Sequence, residues 1–175
     1  MSIGELVAVA PPPEKPLEAG RGPEDWKRVQ EAIGVALPSD LGDFGMCYGT
    51  GRFIGDIQVY NPFAMLYRRI IDFECNFLRE LKKPGRDRLP YDVHPDRPGL
   101  FPWGRDQNGN TMCWLTVGAH DEWPIVLKSD IDEFEHWELS MTSFLAKAFR
   151  NEILALIWND EAFRPEELNF RQVTY

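Results

Sequence analysis

Asn108-Gly109 is the pair of residues that leaves this chain the fewest choices. It closes the segment Asp106-Gln-Asn-Gly109, between two apolar runs at residues 100–103 and 111–117. Asn and Gly tolerate positive φ, so the segment reads as the tight turn of a β-hairpin. A third apolar run, residues 123–128, follows closely, with Pro124 near its start. Proline cannot donate to a ladder, which predicts an edge position for that strand. Phe134–Trp137 reads as a short fourth strand.

Helices flank this block. Residues 24–34 carry Trp26, Val29 and Ile33 at helical spacing, with Pro23 suited to the first helical position and Gly34 to the stop. Leu37-Pro38 opens a second short helix with Leu41, Phe44 and Cys47 as its apolar edge, ended by the run from Gly45 through Gly49-Thr50-Gly51. Residues 54–60 look like a strand, with Ile57 and Val59 on one face. Asn61-Pro62 then announces a helix, Asn as its cap and Pro as its first residue. Leu66, Ile70, Phe73, Phe77 and Leu81 step along it by 4, 3, 4 and 4 and predict its core face. Lys82-Lys83 suit its negative end, and Pro84-Gly85 terminate it. Residues 141–158, capped by Ser140, predict a long C-terminal helix with Phe144, Leu145, Ala148, Phe149, Ile153, Leu156 and Ile157 on a wide apolar face. Residues 3–10 read as a short edge strand or loose arm, followed by four prolines within residues 11–16 that exclude regular helix. Residues 169–175 read as a further edge strand.

Strands and helices do not alternate as in a parallel α/β fold. The expectation is therefore α+β: one domain, a mostly antiparallel sheet packed with helices, short helices at the N-terminal side and the long helix near the C-terminus. Its division is an arm and Pro-rich connector over residues 1–22, the domain over 23–160 and a tail over 161–175. At 175 residues the chain buries roughly 70% of its unfolded surface and needs no disulfide.

The net charge of -9 argues against a general nucleic-acid binder, which needs a basic footprint. The longest apolar run, residues 153–158, is far short of the roughly 20 residues of a membrane span. The start carries Glu5 and no basic segment, so no signal peptide is expected. Cys47, Cys75 and Cys113 form no CxxC and read as reduced thiols of a cytoplasmic protein.

Residues 100–175 hold 6 Lys+Arg against 13 Asp+Glu. The excess is densest where Asp121, Glu122, Asp130, Asp132, Glu133, Glu135 and Glu138 face only Lys128. Two readings stand. The stretch is a solvated loop, or it is a docking surface for a basic partner, since a one-sign patch steers association. Trp123 and Trp137 flank it, as partner anchors or as ordinary half-buried rim residues. Trp26, Trp103, Trp114 and Trp158 fall on apolar faces and are expected in the core.

No arrangement suited to catalysis emerges. His94, His120 and His136 lie singly, without HxxxH, HExxH or CxxC, so neither a zinc site nor any cofactor is expected. Three adjacent residues, His120-Asp121-Glu122, cannot easily converge on one ion. Cys113 lies in an apolar strand, where a thiol is inert. Gly49-Thr50-Gly51 lacks the Gly-Lys-Ser/Thr of a phosphate loop and follows a helix C-terminus, which repels phosphate; it reads as a turn. The paired carboxylates at Asp130/Asp132 and Glu133/Glu135 sit where raised pKa values are hard to arrange. The absence of a constellation shifts weight from enzyme to binding protein.

The order of short motifs resembles the SUKH superfamily, shared by fungal cell-wall-synthesis regulators and bacterial immunity proteins. Trp26, Leu37-Pro38-Ser39-Asp40 and Tyr48-Gly49-Thr50-Gly51 come first, then Asn61-Pro62-Phe63 and Leu100-Phe101-Pro102-Trp103-Gly104. Asn108-Gly109-Asn110, Trp114-Leu115-Thr116, Trp123-Pro124-Ile125-Val126 and Ser143-Phe144-Leu145 complete the series. Even Val9-Ala10-Pro11-Pro12-Pro13 is similar to a bacterial subgroup. Asn110 stands where the family often has Asp, which removes one charge from whatever the turn faces. The resemblance implies a single α+β domain without enzymatic activity, an immunity protein that binds and neutralises a cognate toxin, often a nuclease, inside the cell. An acidic binder of a basic nuclease agrees with the charge distribution. The alternative is an intracellular adaptor or regulatory module of the same fold. Its binding surface diverges, so no functional residue carries over.

Overall fold

The hairpin forms where Asn108-Gly109 predicts it: Gly109 has φ of +86°, and its N–H donates to the Asp106 carbonyl. The computed structural model describes residues 3–83, 88–158 and 162–174. In chain order the elements are α1 (Gly4–Val9), α2 (Pro23–Ile33), α3 (Ser39–Cys47), β1 (Gly51–Arg52), β2 (Gln58–Val59), α4 (Tyr67–Leu81) and β3 (Asp92–Val93). They continue with β4 (Gly99–Arg105), β5 (Thr111–Leu115), β6 (Ile125–Lys128), β7 (Phe134–Trp137), α5 (Met141–Phe149) and β8 (Arg171–Gln172). Short 3-10 turns lie at Ile54–Asp56, His120–Glu122, Leu156–Trp158 and Pro165–Glu167.

The main sheet runs β2-β4-β5-β6-β7, antiparallel throughout this path. β3 pairs in parallel with the start of β4, along the same edge whose far end takes β2. A bulge between Pro102 and Gly104 accommodates the missing proline donor in β4. Across β4 and β5, Phe101 faces Trp114 in register. The Trp103 and Trp114 rings lie 5.7 Å apart, and both side chains are fully buried. β1 and β8 form a separate two-stranded pair, so the C-terminal segment does supply a strand.

The sequence reading needs correction at several elements, five of them in where elements lie or end. β6 lies between β5 and β7 and is not an edge; Pro124 sits just before it, where only its carbonyl is used, accepting from the Leu115 N–H. Residues 3–10 hold helix α1, which packs on α5 and buries Leu6 and Ala10 completely. The strand expected over 54–60 is a 3-10 turn followed by the two residues of β2. Asn61-Pro62 does not start α4, whose N-terminal cap is Leu66. Asn61 instead ties the preceding turn together, donating to Glu18 O and Thr50 Oγ1.

The fifth correction concerns the long C-terminal helix. α5 stops at Phe149, and Asn151 takes a left-handed conformation with φ of +57°. Asn tolerates that conformation just past a helix end, and its side chain exchanges two 2.8 Å hydrogen bonds with the Phe163 backbone. Ser140 caps α5 as expected, accepting from the Ser143 N–H. The predicted stop of α4 at Pro84-Gly85 lies outside the described residues.

The face that α4 buries also differs. Tyr67, Ile71, Glu74, Cys75, Leu78 and Leu81 point inward. Phe73 is 65% exposed and Phe77 45% exposed. Of the stripe that sequence periodicity assigns to the core, Phe73 and Phe77 are therefore exposed, Leu66 and Ile70 are half-buried, with Ile70 packed against the core, and only Leu81 is buried. Trp26 and Trp158 are half-buried rather than central.

Candidate partner-binding face

The β6–β7 hairpin divides the acidic stretch into two poles. Lys128 pairs with Phe134 and Ile125 with Trp137, so the chain runs out along β6 and returns beside it. Asp130, Asp132 and Glu133 lie at the turn. Asp121 and Glu122, in the 3-10 turn before β6, lie at the other end with Glu138. At about 3.4 Å per residue the four-residue strand holds the poles more than ~10 Å apart. That exceeds the Debye length of about 8 Å at physiological salt, so the poles act separately.

At the turn, Ser129 N–H donates to Glu133 O, Asp132 N–H to Ser129 O, and Glu133 N–H to Ser129 Oγ. Asp132 adopts φ of +64°. Its carboxylate meets Lys128 Nζ at 2.7 Å and also pairs with the Arg88 guanidinium. The Lys128 side chain is only 4% exposed and donates to the Ser129 carbonyl as well. The one lysine of the acidic stretch is thus a buried clamp on the turn. Burial opposes ionisation of Asp132, but hydrogen bonds from Lys128 and Arg88 prevail and hold its carboxyl below the ordinary value. This leaves Asp130 and Glu133 as the exposed carboxylates of the turn, around Ile131, which is 68% exposed.

The turn is anchored by Asn110, whose Oδ1 accepts from the Asp130 N–H at 2.9 Å. Asn110 Nδ2 donates to Asp106 Oδ2 at 2.7 Å, and that carboxylate also accepts from Trp158 Nε1. An amide at this position has a physical reason. It faces a buried carboxylate, and an Asp at 110 would lose the donor and add a like charge.

At the second pole, Asp121 accepts the Ser39 N–H at 2.6 Å, at the first turn of α3. Burial opposes its ionisation, yet the Ser39 bonds, aided by His120, hold its carboxyl below the ordinary value. Glu122 and Glu138 are exposed and extend from the same end. Within β7, Glu135 is half-buried and accepts the Leu156 N–H, which docks the Leu156–Trp158 turn. Trp123 is only 4% exposed, with Arg97 over its ring at 5.7 Å. Trp137 is half-buried against Phe144. Of the expected residues, five therefore present carboxylates to solvent: Asp121, Glu122, Asp130, Glu133 and Glu138. Asp132, Glu135, Trp123 and Trp137 hold the face in shape. Sequence reasoning missed Ile131 and the pairing of Arg88 with Asp132, because neither periodicity nor charge counting shows which side chains a tight turn ejects or clamps.

The polar groups offer little chemistry. Cys113 and Cys75 are buried, which pushes both thiols up, Cys75 to about 12, so they stay protonated. His94 packs edge-on against Phe101, and His136 is hydrogen-bonded to Tyr91. Among the described residues no group of three His, Cys, Asp or Glu could hold a metal ion, and no helix is long and apolar enough to cross a membrane. Gly49, at φ of +67°, passes so close to the Leu17 carbonyl that a Cβ would lie 2.2 Å from it. That glycine serves a backbone crossing.

The motif order, the α+β architecture and the central hairpin can be set against known families. The family model SUKH_6, described as SMI1-KNR4 cell-wall, matches residues 23–145. The chain belongs to the SUKH superfamily. Neither the curated proteins nor the solved structures contain a match. The SUKH match runs from α2 into α5 and includes both acidic poles. α1 precedes it, yet α1 shares the core with α5: Ser143 Oγ lies 3.2 Å from Glu5 Oε2, and Tyr48 Oη donates to Ala10 O at 2.6 Å.

Proposed function

We propose that this SUKH domain is a non-enzymatic immunity protein of the cytoplasm, which neutralises a cognate toxin carrying a basic surface, as on a nuclease. The observation that carries the reading is the turn between β6 and β7. It presents Asp130 and Glu133 around an exposed Ile131, on a turn made rigid by the buried Lys128–Asp132 pair. An apolar side chain ringed by carboxylates offers a basic protein both a contact to bury and a field that steers it in. β7 supports the same reading, because it ends the strand order of the sheet and carries Glu133 and Glu138 at its margins. Pre-organisation matters here, since a rigid turn loses little freedom on binding.

Membership of the family fits protein recognition rather than catalysis, and the protonated, buried cysteines agree with that. An adaptor role would use the same face with a different partner. The distinguishing experiment is a search of the neighbouring genes for a toxin domain, followed by co-expression of that domain with this protein. Cells carrying the parent protein are expected to survive, and the two proteins to co-purify. Survival without a stable complex, or death despite full expression, would contradict neutralisation by binding.

A further inference from the structure

The outer stripe of α4 is only partly covered by this chain: Leu66 and Ile70 are half-buried, with Ile70 packed against the core, while the two phenylalanines are open. At 100° per residue, Leu66, Ile70, Phe73 and Phe77 lie in a band about 60° wide. Phe73 is 65% and Phe77 45% exposed, and Met65, just before the helix, is 87% exposed. A helix in water has no reason to keep two half-bare phenylalanines in line, and such a patch marks an interaction site. The 4-3-4 spacing is that of a helix-pairing seam. Along one side of it lies a groove of about 590 Å³, walled by Leu66, Ile70 and Phe73 and by Tyr60 and Arg105 from the sheet side.

We infer that a second copy of this chain covers the stripe, through antiparallel pairing of the two α4 helices. The charges flanking the seam make the case. Arg69 and Glu80 lie on the same side of the apolar band, and same-side residues face each other in an antiparallel pair. When Phe73 of one copy is placed opposite Phe77 of the other, Arg69 falls opposite Glu80 of the other copy to within one residue, and the symmetry repeats both contacts. Arg69 makes no ion pair with the described residues, and Glu80 has only the exposed Lys83 at 2.5 Å. The same register brings the second copy's Phe77 level with Ile70 and Phe73, at the mouth of the groove. An isologous two-fold contact of this kind closes on itself. It uses the β2 side of the molecule, whereas the acidic turn adjoins β7 at the other end of the strand order. Dimerisation and partner capture therefore do not compete.

One helix face is a small interface, so the dimer should be of micromolar affinity. Sedimentation equilibrium of the full chain, from roughly 1 to 200 µM, brackets that range. The weight-average mass should rise from 20.2 kDa towards twice that value. Phe73→Glu should remain at the monomer mass; since Phe73 is exposed, its circular dichroism melt should match the parent. Arg69→Glu should weaken association by about tenfold or more. Adding Glu80→Arg to Arg69→Glu should restore it, which tests the register. A parent that stays monomeric across the range overturns the inference and leaves the stripe to a different protein. A dimer that survives Phe73→Glu uses another face and also overturns it. A charge swap that fails to restore association excludes the antiparallel register.

Discussion

Asp132 illustrates how a charge read from sequence can do the opposite of what its neighbours do. In the string it is one of seven carboxylates facing one lysine; in the fold it holds that lysine. Asp132→Asn would leave the Lys128 ammonium, 4% exposed, without its counter-charge. Breaking a buried pair in this way should cost ~3 kcal/mol, whereas Asp130→Asn and Glu133→Gln should each stay within about 0.5 kcal/mol. The pH dependence follows from the same geometry. The Asp132 carboxyl titrates lower in the folded protein than in the unfolded chain, where it is about 3.9. Its contribution is thus complete above that unfolded value and is lost as pH falls through the folded one. Urea melts from neutral pH down to about pH 3 should show this loss in the parent and a shallower decline in Asp132→Asn. Equal slopes would mean that the pair does not form. Asp40 works in the reverse sense. Burial raises its carboxyl above the ordinary value despite bonds from Thr142, so acid relieves rather than removes its contribution.

At the scale of elements, the strands were the most legible part. Asn-Gly turn chemistry and short apolar runs place β4, β5, β6 and β7 close to their observed bounds, because hairpins are specified locally. Trp103 and Trp114 follow from this: facing strands of such a hairpin must bury their large side chains. Trp103→Ala and Trp114→Ala should each cost ~3–5 kcal/mol, read as a large fall in melting temperature. An unchanged melt for either would mean that the β4–β5 pair is not the centre of the core. Helix α4 shows the limit. It has two apolar faces, Tyr67-Ile71-Cys75-Leu78 and Leu66-Ile70-Phe73-Phe77. Periodicity shows that a face is apolar but not what covers it. The inward face also carries Glu74, 5% exposed, whose burial is made tolerable by Arg105 from β4, 3.5 Å away. No local pattern reveals a partner 31 residues distant. The overlong prediction for α5 failed for a similar reason. Ile153, Leu156 and Ile157 continue its spacing, but Asn151 turns the chain and the Phe163 backbone rewards the turn.

For the whole molecule, net charge and family resemblance were legible, and the distribution of charge was not. The sequence groups seven carboxylates; the hairpin separates them into two poles and spends three on internal bonds, Asp121 to Ser39, Asp132 to Lys128 and Arg88, and Glu135 to Leu156. What reaches solvent at the β6–β7 turn is smaller and better defined than the string suggests: Asp130, Ile131 and Glu133. The central claim is that this turn captures a basic partner. The most direct test is stopped-flow association of the purified toxin domain with parent protein and with the Asp130→Asn/Glu133→Gln double variant, over a range of salt. Asp132 is left intact so that the turn keeps its shape. The double variant should associate several-fold more slowly at low salt and show a flatter salt dependence, with dissociation less affected. Association at the parent rate with the parent salt slope would contradict the account and reduce the turn to a solvated loop.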